Sequence, residues 1–218
     1  MALIYDDHFQ VYKVAGMGPF NNNGYVLADP GSRECYLVDA PAEFGRLLEE
    51  ARGFHIKGVL ITHTHPDHIA GHPELKRAAQ GGLLGGVVGV HAAAAPRLPE
   101  QPSFHLGHGD LLHIGQTPIR VLHTPGHTAG SICLALDGCL ISGDTLFPGG
   151  PGYTQSPNGF QQVVKSITEH LYGLDDEVLV LPGHGADTTV GESKREYADF
   201  AAKSHPSDLH GAVHWLTS

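Results

Sequence analysis

Thr62-His63-Thr64-His65-Pro66-Asp67-His68 places four metal-ligand side chains within six residues, directly after the apolar run Val59-Leu60-Ile61. An apolar run that ends in a polar cluster reads as a buried strand delivering side chains to the edge of a sheet. His63 and His65 are two apart, so in extended chain they point the same way. Pro66 disfavours helix at His65 and forces a turn there. Asp67 and His68 follow the turn and come back to the same point from another side. One short loop thus offers two ligand sets, enough for two metal ions. Chance clustering is the competing explanation in a chain with 17 histidines. The tight spacing, and three further ligand types in matching contexts, speak against it.

Those contexts repeat one pattern: an apolar strand, a small residue or proline, then a ligand. Ile119 to His123 leads into Thr124-Pro125-Gly126-His127-Thr128, where Pro125 and Gly126 form the turn that aims His127. Cys139 to Ile141 is the second arm of a hairpin from Ile132 to Leu136 over Asp137-Gly138, and it ends in Ser142-Gly143-Asp144. Glu177 to Leu181 ends in Pro182-Gly183-His184-Gly185. Strand termini are where sites collect in mixed α/β domains.

Around these strands the periodicity predicts helices over Ala42 to Arg52, Leu75 to Gln80 and Glu192 to Ala202. A further amphipathic helix carries Phe160, Val163, Val164, Ile167, Leu171 and Leu174. Further strands are expected at Phe9 to Val14, Tyr25 to Ala28, Cys35 to Val38, Val87 to His91 and Asp110 to Ile114. A turn is expected from Gly81 to Gly86. Asp39 closes one strand, either as an ordinary turn residue or as the carboxylate that orients a ligand histidine. The Pro-rich stretch from Arg97 to His108 reads as a surface loop placed to overhang a site. Trp215 stands alone in a tail without periodicity. No linker or internal repeat appears, so residues 1–218 read as one α/β domain with its core over about 10–190.

Composition narrows the function classes. Hydrophobic residues at 41% and charged residues at 17% describe a globular chain. A net charge of -10, with no dense basic run, argues against nucleic acid as partner and for a small-molecule substrate. Cys35, Cys133 and Cys139 are an odd set in apolar surroundings and read as buried free thiols of a reducing compartment. The opening residues lack a basic start and no stretch is long enough for a membrane span, so the expected location is cytoplasmic. A homodimer is left open.

Histidine and carboxylate without thiolate suit zinc first, then iron or manganese. Asp144, with two oxygens, is the natural bridge between two ions about 3.5–4 Å apart. One ion takes His63, His65 and His127, the other Asp67, His68 and His184. Water held between them becomes a nucleophile near neutral pH, and the ions polarise a carbonyl. Asp67 and Asp144 are the carboxylates expected to serve catalysis. His8, His55, His72, His91, His105, His108, His113, His123, His170, His205, His210 and His214 show no partnering pattern and read as surface or hydrogen-bonded core residues.

His63-Thr64-His65-Pro66-Asp67-His68, followed in order by His127, Asp144 and His184, resembles the metallo-β-lactamase-fold superfamily. The resemblance implies an αββα sandwich with the metal site at one edge of two sheets. Thr124-Pro125-Gly126-His127-Thr128, Gly143-Asp144-Thr145-Leu146-Phe147 and Pro182-Gly183-His184-Gly185 look most like the glyoxalase II branch, which hydrolyses thioesters such as S-lactoylglutathione. The helical C-terminal domain usual in that branch has only a short tail as counterpart here. Pro148-Gly149-Gly150-Pro151-Gly152-Tyr153 stand where basic and aromatic residues are expected. The resemblance therefore implies a thiolate leaving group, which needs little acid assistance, more directly than it implies glutathione. Tyr153 is either a pocket residue or a surface tyrosine. The rival branch, persulfide dioxygenase, would hold one Fe(II) on His63, His127 and Asp144. The Gly-Arg-Thr-Asp-like stretch associated with it is absent after Phe147. Lactone hydrolysis is the other alternative for the binuclear site.

Overall fold

The computed structural model describes residues 2–85 and 87–218. Its first sheet runs in chain order through β1 (Ala2–Asp6), β2 (Gln10–Met17), β3 (Asn22–Asp29), β4 (Glu34–Val38), β5 (His55–Ile61), β6 (Val88–Val90) and β7 (Phe104–His105). Pairing is antiparallel from β1 to β4 and parallel from β4 to β7, where α1 (Gly45–Glu50) and α2 (His72–Gln80) provide crossovers. The second sheet is built from β8 (Leu111–Ile114), β9 (Thr117–His123), β10 (Ile132–Leu136) and β11 (Cys139–Gly143). It is completed, after the small ribbon of β12 (Leu146–Phe147) and β13 (Gly150–Pro151), by β14 (Leu179–Pro182) and β15 (Thr188–Thr189). Its spatial order is β15-β14-β11-β10-β9-β8, with β14 parallel to β11 across α3 (Pro157–Ser166). A last helix, α4 (Val190–Ala201), follows.

The period of two along the strands explains the layering. Tyr25 and Leu27, Tyr36 and Val38, and Leu60 turn into a core shared with Ile132, Leu134, Ile141 and Leu181 of the second sheet. The alternate residues Val26, Ala28, Leu37, Val59 and Ile61 face outward and are covered by Phe44, Leu47, Leu75 and Ala78. On the far side Cys133, Leu140 and Val180 meet Phe160, Val163, Ile167, Leu171, Phe200 and Trp215. Central strands buried on both faces read as continuous apolar runs, which is why Val59-Leu60-Ile61 and Leu179-Val180-Leu181 show no alternation in sequence. The result is one helix-sheet-sheet-helix domain, as expected from the motif.

Several boundaries move for local reasons. The helix expected from Ala42 starts at Gly45, because Glu43 has φ 64° and breaks the helical turn before it. The helix expected from Leu75 begins three residues earlier, at His72, with Pro73 in its first turn. The helix carrying Phe160 widens into a π-helical turn over Ile167–Leu171. The turn expected from Gly81 to Gly86 is seen through Gly85, and Gly86 lies outside the described residues. The loop after Arg97 contains β7, paired with β6, and Trp215 of the tail is fully buried in the outer helical core.

Candidate metal centre

Parallel β5 ends at Ile61 beside the end of β4, and the chain beyond each end forms the site. Asp39, the residue after β4, adopts φ 61°, which turns its carboxylate toward the loop after β5. Its Oδ1 accepts from Thr62 N at 2.7 Å, and its Oδ2 accepts from Thr62 Oγ1 at 2.8 Å. Oδ2 also accepts from His68 Nδ1 at 2.8 Å. Of the two readings of Asp39 offered by the sequence, the structure supports the one in which it orients a histidine. His65 is extended (ψ 147°), and Pro66–His68 form a single 3-10 turn, which returns His68 to the site.

Three of the other imidazoles are each aimed by a partner on the rear nitrogen. His127 Nδ1 donates to Tyr153 O at 2.7 Å and His184 Nδ1 to Phe20 O at 3.0 Å. Thr62 Oγ1, whose proton is directed to Asp39, is 3.2 Å from His63 Nδ1 and can accept from it. These bonds fix the tautomers so that Nε2 of His63, His68, His127 and His184 presents its lone pair inward.

All seven expected ligands converge. His63 Nε2 is 3.2 Å from His65 Nδ1 and 3.2 Å from His127 Nε2. His68 Nε2 is 3.2 Å from His184 Nε2, and Asp67 Oδ2 is 3.1 Å from His184 Nε2. Tetrahedral ligands bonded at 2.0–2.1 Å stand about 3.3 Å apart, so these separations are those of donors around a shared ion. Asp144 lies between the trios. Its Oδ1 is 3.3 Å from His68 Nε2, and its Oδ2 is 3.7 Å from His127 Nε2 and 3.6 Å from His184 Nε2. Oδ1 is buried and has no hydrogen-bond partner, since the His68 proton sits on Nδ1 facing Asp39. An orphaned carboxylate oxygen among inward lone pairs is what a cation site requires and what a hydrogen-bonded core network would avoid. The donor set therefore fits divalent metal.

Electrostatics differ between the two trios. Burial and the surrounding imidazoles push the His63 pKa well down, and burial lowers those of His127 and His65, leaving neutral rings able to ligate. Burial opposes charge on His68 and His184, but carboxylates outweigh it and raise both, Asp39 and Asp144 for His68 and Asp67 and Asp144 for His184, so these two rings favour a proton that a bound cation would have to displace. Burial likewise works against an ionised Asp144, and His68 and the other histidines overcome it, lowering its pKa. Burial raises the thiols of Cys35, Cys133 and Cys139 to about 12, 11 and 12, so no thiolate competes as a ligand.

Three contributors carry no signal that spacing could reveal. Asn22, buried at the start of β3, donates from Nδ2 to Asp67 Oδ2 at 2.8 Å. Asn23 Nδ2 donates to Pro182 O and Gly185 O, each at 3.0 Å. Lys13, buried on β2, donates to Gly185 O at 3.0 Å and pairs with Asp187. Asn23 and Lys13 clamp the loop that presents His184, and Asn22 steadies Asp67. The run of three asparagines in a Gly-rich loop is the only hint of Asn22 and Asn23, and nothing in the sequence hints at Lys13. Tyr153 and Phe20 are 59% and 66% exposed, so it is the main chain of each that serves the site.

This fold and this arrangement of side chains define a known class: the chain belongs to the metallo-beta-lactamase superfamily, whose sequence pattern matches residues 17–184 and so includes all seven clustered residues. Among its relatives is a hydroxyacylglutathione hydrolase of Cereibacter sphaeroides, 35% identical over 190 residues, with 85% of this chain and 68% of that protein covered. Another is hydroxyacylglutathione hydrolase GloC of Haemophilus influenzae, 30% identical over 204 residues, with 85% and 95% covered. Similar solved structures include ETHE1 from Myxococcus xanthus, with TM-score 0.75, 30% identity and 88% and 86% of the two chains covered. TTHA1623 in a di-iron-bound form matches with TM-score 0.69, 26% identity and 84% and 97% covered.

Proposed function

We propose that the protein is a binuclear metal-dependent hydrolase acting on a small-molecule thioester. The observation that carries this reading is the position of Asp144 between two complete ligand trios, His63, His65, His127 and Asp67, His68, His184. Two cations held there would supply a water acidified to near neutral pH and a Lewis acid for the carbonyl. The chain's own residues set the geometry for this. Asp39 and the carbonyls of Phe20 and Tyr153 fix three imidazoles, and Asn22 holds one oxygen of Asp67. In hydrolysis the C–S bond breaks, the acyl carbon gains the water oxygen, and the sulfur leaves as thiolate or thiol. Such a leaving group needs no strong acid at the site.

Two relatives support the thioester. Both carry the name hydroxyacylglutathione hydrolase, and the match spans 95% of the Haemophilus influenzae protein, so a protein of that name has nearly the extent aligned here. The di-iron form of TTHA1623 supports two metals, with zinc, iron and manganese all suited to the donors. No helix among the described residues is long and apolar enough to cross a membrane, and the three free buried cysteines support a reducing, cytoplasmic setting.

The test is metal analysis of the purified protein together with a thioester and lactone panel. Two metals per chain with thioester turnover is the expected result. One iron per chain with oxygen uptake on a persulfide would replace this reading with oxygenase chemistry on His63, His127 and Asp144, and lactone turnover alone would change the substrate class.

A further inference from the structure

A cavity of about 250 Å³ opens beside the cluster, and the ligands His65 and His127 form part of its wall. Most of its lining is small or neutral, including Thr128, Gly130 and Gln155. No carboxylate lines it, although the chain has 23 acidic and 13 basic residues. Its one Lys or Arg side chain is Arg97. Most other basic side chains are engaged, as in Arg46 with Glu43, Arg52 with Glu49, Lys76 with Glu100 and Arg195 with Glu192, while Arg77 and Arg120, like Arg97, have no such partner among the described residues but lie outside this cavity. The Arg97 guanidinium has no ion pair or hydrogen bond among the described residues.

Arg97 has an exposed side chain, and its main chain is anchored beside the cluster. It ends the 3-10 turn Ala95–Arg97, next to Ala94, whose carbonyl accepts from Thr64 Oγ1 at 3.3 Å. Ala94 is buried against the loop after β9, where a Cβ on Gly130 would fall 2.6 Å from the Ala94 nitrogen. The turn is thus fixed both to the His63–His68 loop and to the loop that carries His127.

We infer that Arg97 is a specificity residue that binds a carboxylate of the substrate, making the preferred substrate a short thioester with an acid group a few bonds from the scissile carbonyl. This rests on the hydrolase reading above. A guanidinium offers paired N–H donors that match a carboxylate. The cavity is smaller than the roughly 300–1,000 Å³ of sites for drug-sized ligands, so it takes one acidic arm. That arm belongs either to the acyl group or to the thiol.

The experiment compares metal-loaded wild type, Arg97→Gln and Arg97→Lys on two matched pairs. S-glutaryl against S-pentanoyl N-acetylcysteamine puts the acid on the acyl side. S-pentanoyl 3-mercaptopropionate against S-pentanoyl propanethiol puts it on the thiol side. Wild type is expected to favour the acidic member of one pair in kcat/KM by about 10- to 100-fold, the pair identifying the side. Arg97→Gln brings that ratio close to one, mainly through KM, and Arg97→Lys restores part of it. Calorimetric binding of glutarate, expected to weaken about 10-fold or more in Arg97→Gln, reads the pocket independently of turnover. If no thioester is hydrolysed while glutarate binding still depends on Arg97, the hydrolase reading fails and the anion pocket stands. Equal preference within both pairs, or glutarate binding unaffected by Arg97→Gln, overturns the inference.

Discussion

Asp39 Oδ2 and His68 Nδ1 are 2.8 Å apart, both side chains are buried, and the same carboxylate holds Thr62 through two further hydrogen bonds. One side chain therefore sets the tautomer of one ligand and the backbone from which His63 springs. An asparagine at this position would keep a single acceptor oxygen for three donors. We expect Asp39→Asn to weaken metal binding about 10- to 100-fold, measured by competition with a chromogenic chelator. Unchanged affinity would remove the orienting role.

Asp144 is expected to matter through count as well as strength. With its Oδ1 buried and without a hydrogen-bond partner, it is the group that spans the trios. Asp144→Asn should bring metal content from two ions per chain toward one and abolish thioester hydrolysis while leaving the far-ultraviolet circular dichroism unaltered. His63→Ala should abolish turnover in the same way. Full turnover in either variant would rule out the bridged arrangement.

Lys13 is 8% exposed and ties β2 to Gly185 and Asp187, next to the ligand His184. Lys13→Met removes the charge and both hydrogen bonds, leaving Asp187 partly in contact with water. The expected cost is about 1–3 kcal/mol in chemical denaturation. The ion held by His184 should be lost to chelator before the one held by His127. A variant with native stability that released both ions together would show that the clamp is idle.

Glu34 joins the two sheets away from the metal centre, where β4 and β5 begin. Its Oε2 accepts from Gly115 N at 3.0 Å and from Lys57 Nζ at 3.1 Å. The Gly115 amide, then Lys57, lower its pKa. A carboxylate with a lowered folded pKa adds stability above its unfolded value of about 4.3, and that stability is lost as pH falls through the folded value. Glu34→Gln should therefore be less stable than wild type at pH 6, and the deficit should shrink toward pH 3. A deficit that stayed constant with pH would contradict the linkage.

The sequence disclosed what depends on local pattern. His63, His65, Asp67 and His68 lie in one loop, and His127, Asp144 and His184 each follow an apolar strand, so a repeated local rule locates them. The layering was legible only through the family resemblance, because strands such as Tyr25 to Ala28 are apolar on both faces and show no alternation. What stayed hidden depends on contacts between distant segments. Asn22 meets Asp67, 45 residues away, and Lys13 meets Asp187, 174 residues away. Neither partner alters the spacing around the other. Trp215 lacks helical neighbours that would mark a periodic face, and only the third dimension shows the helices closing over it. Backbone conformation was equally silent, since nothing in the composition announces that Asp39 or Glu43 adopts positive φ.

The carbonyls of Phe20 and Tyr153 aim His184 and His127 while both aromatic rings point into solvent. Because peptide oxygens do the aiming, the identity of either ring is free of that duty. The rim of the site can change its chemistry, exchanging aromatic for charged or aliphatic groups, without retuning the ions beneath. A scaffold wired in this way separates what it reacts with from how it reacts, and can acquire a new substrate by altering its lip alone.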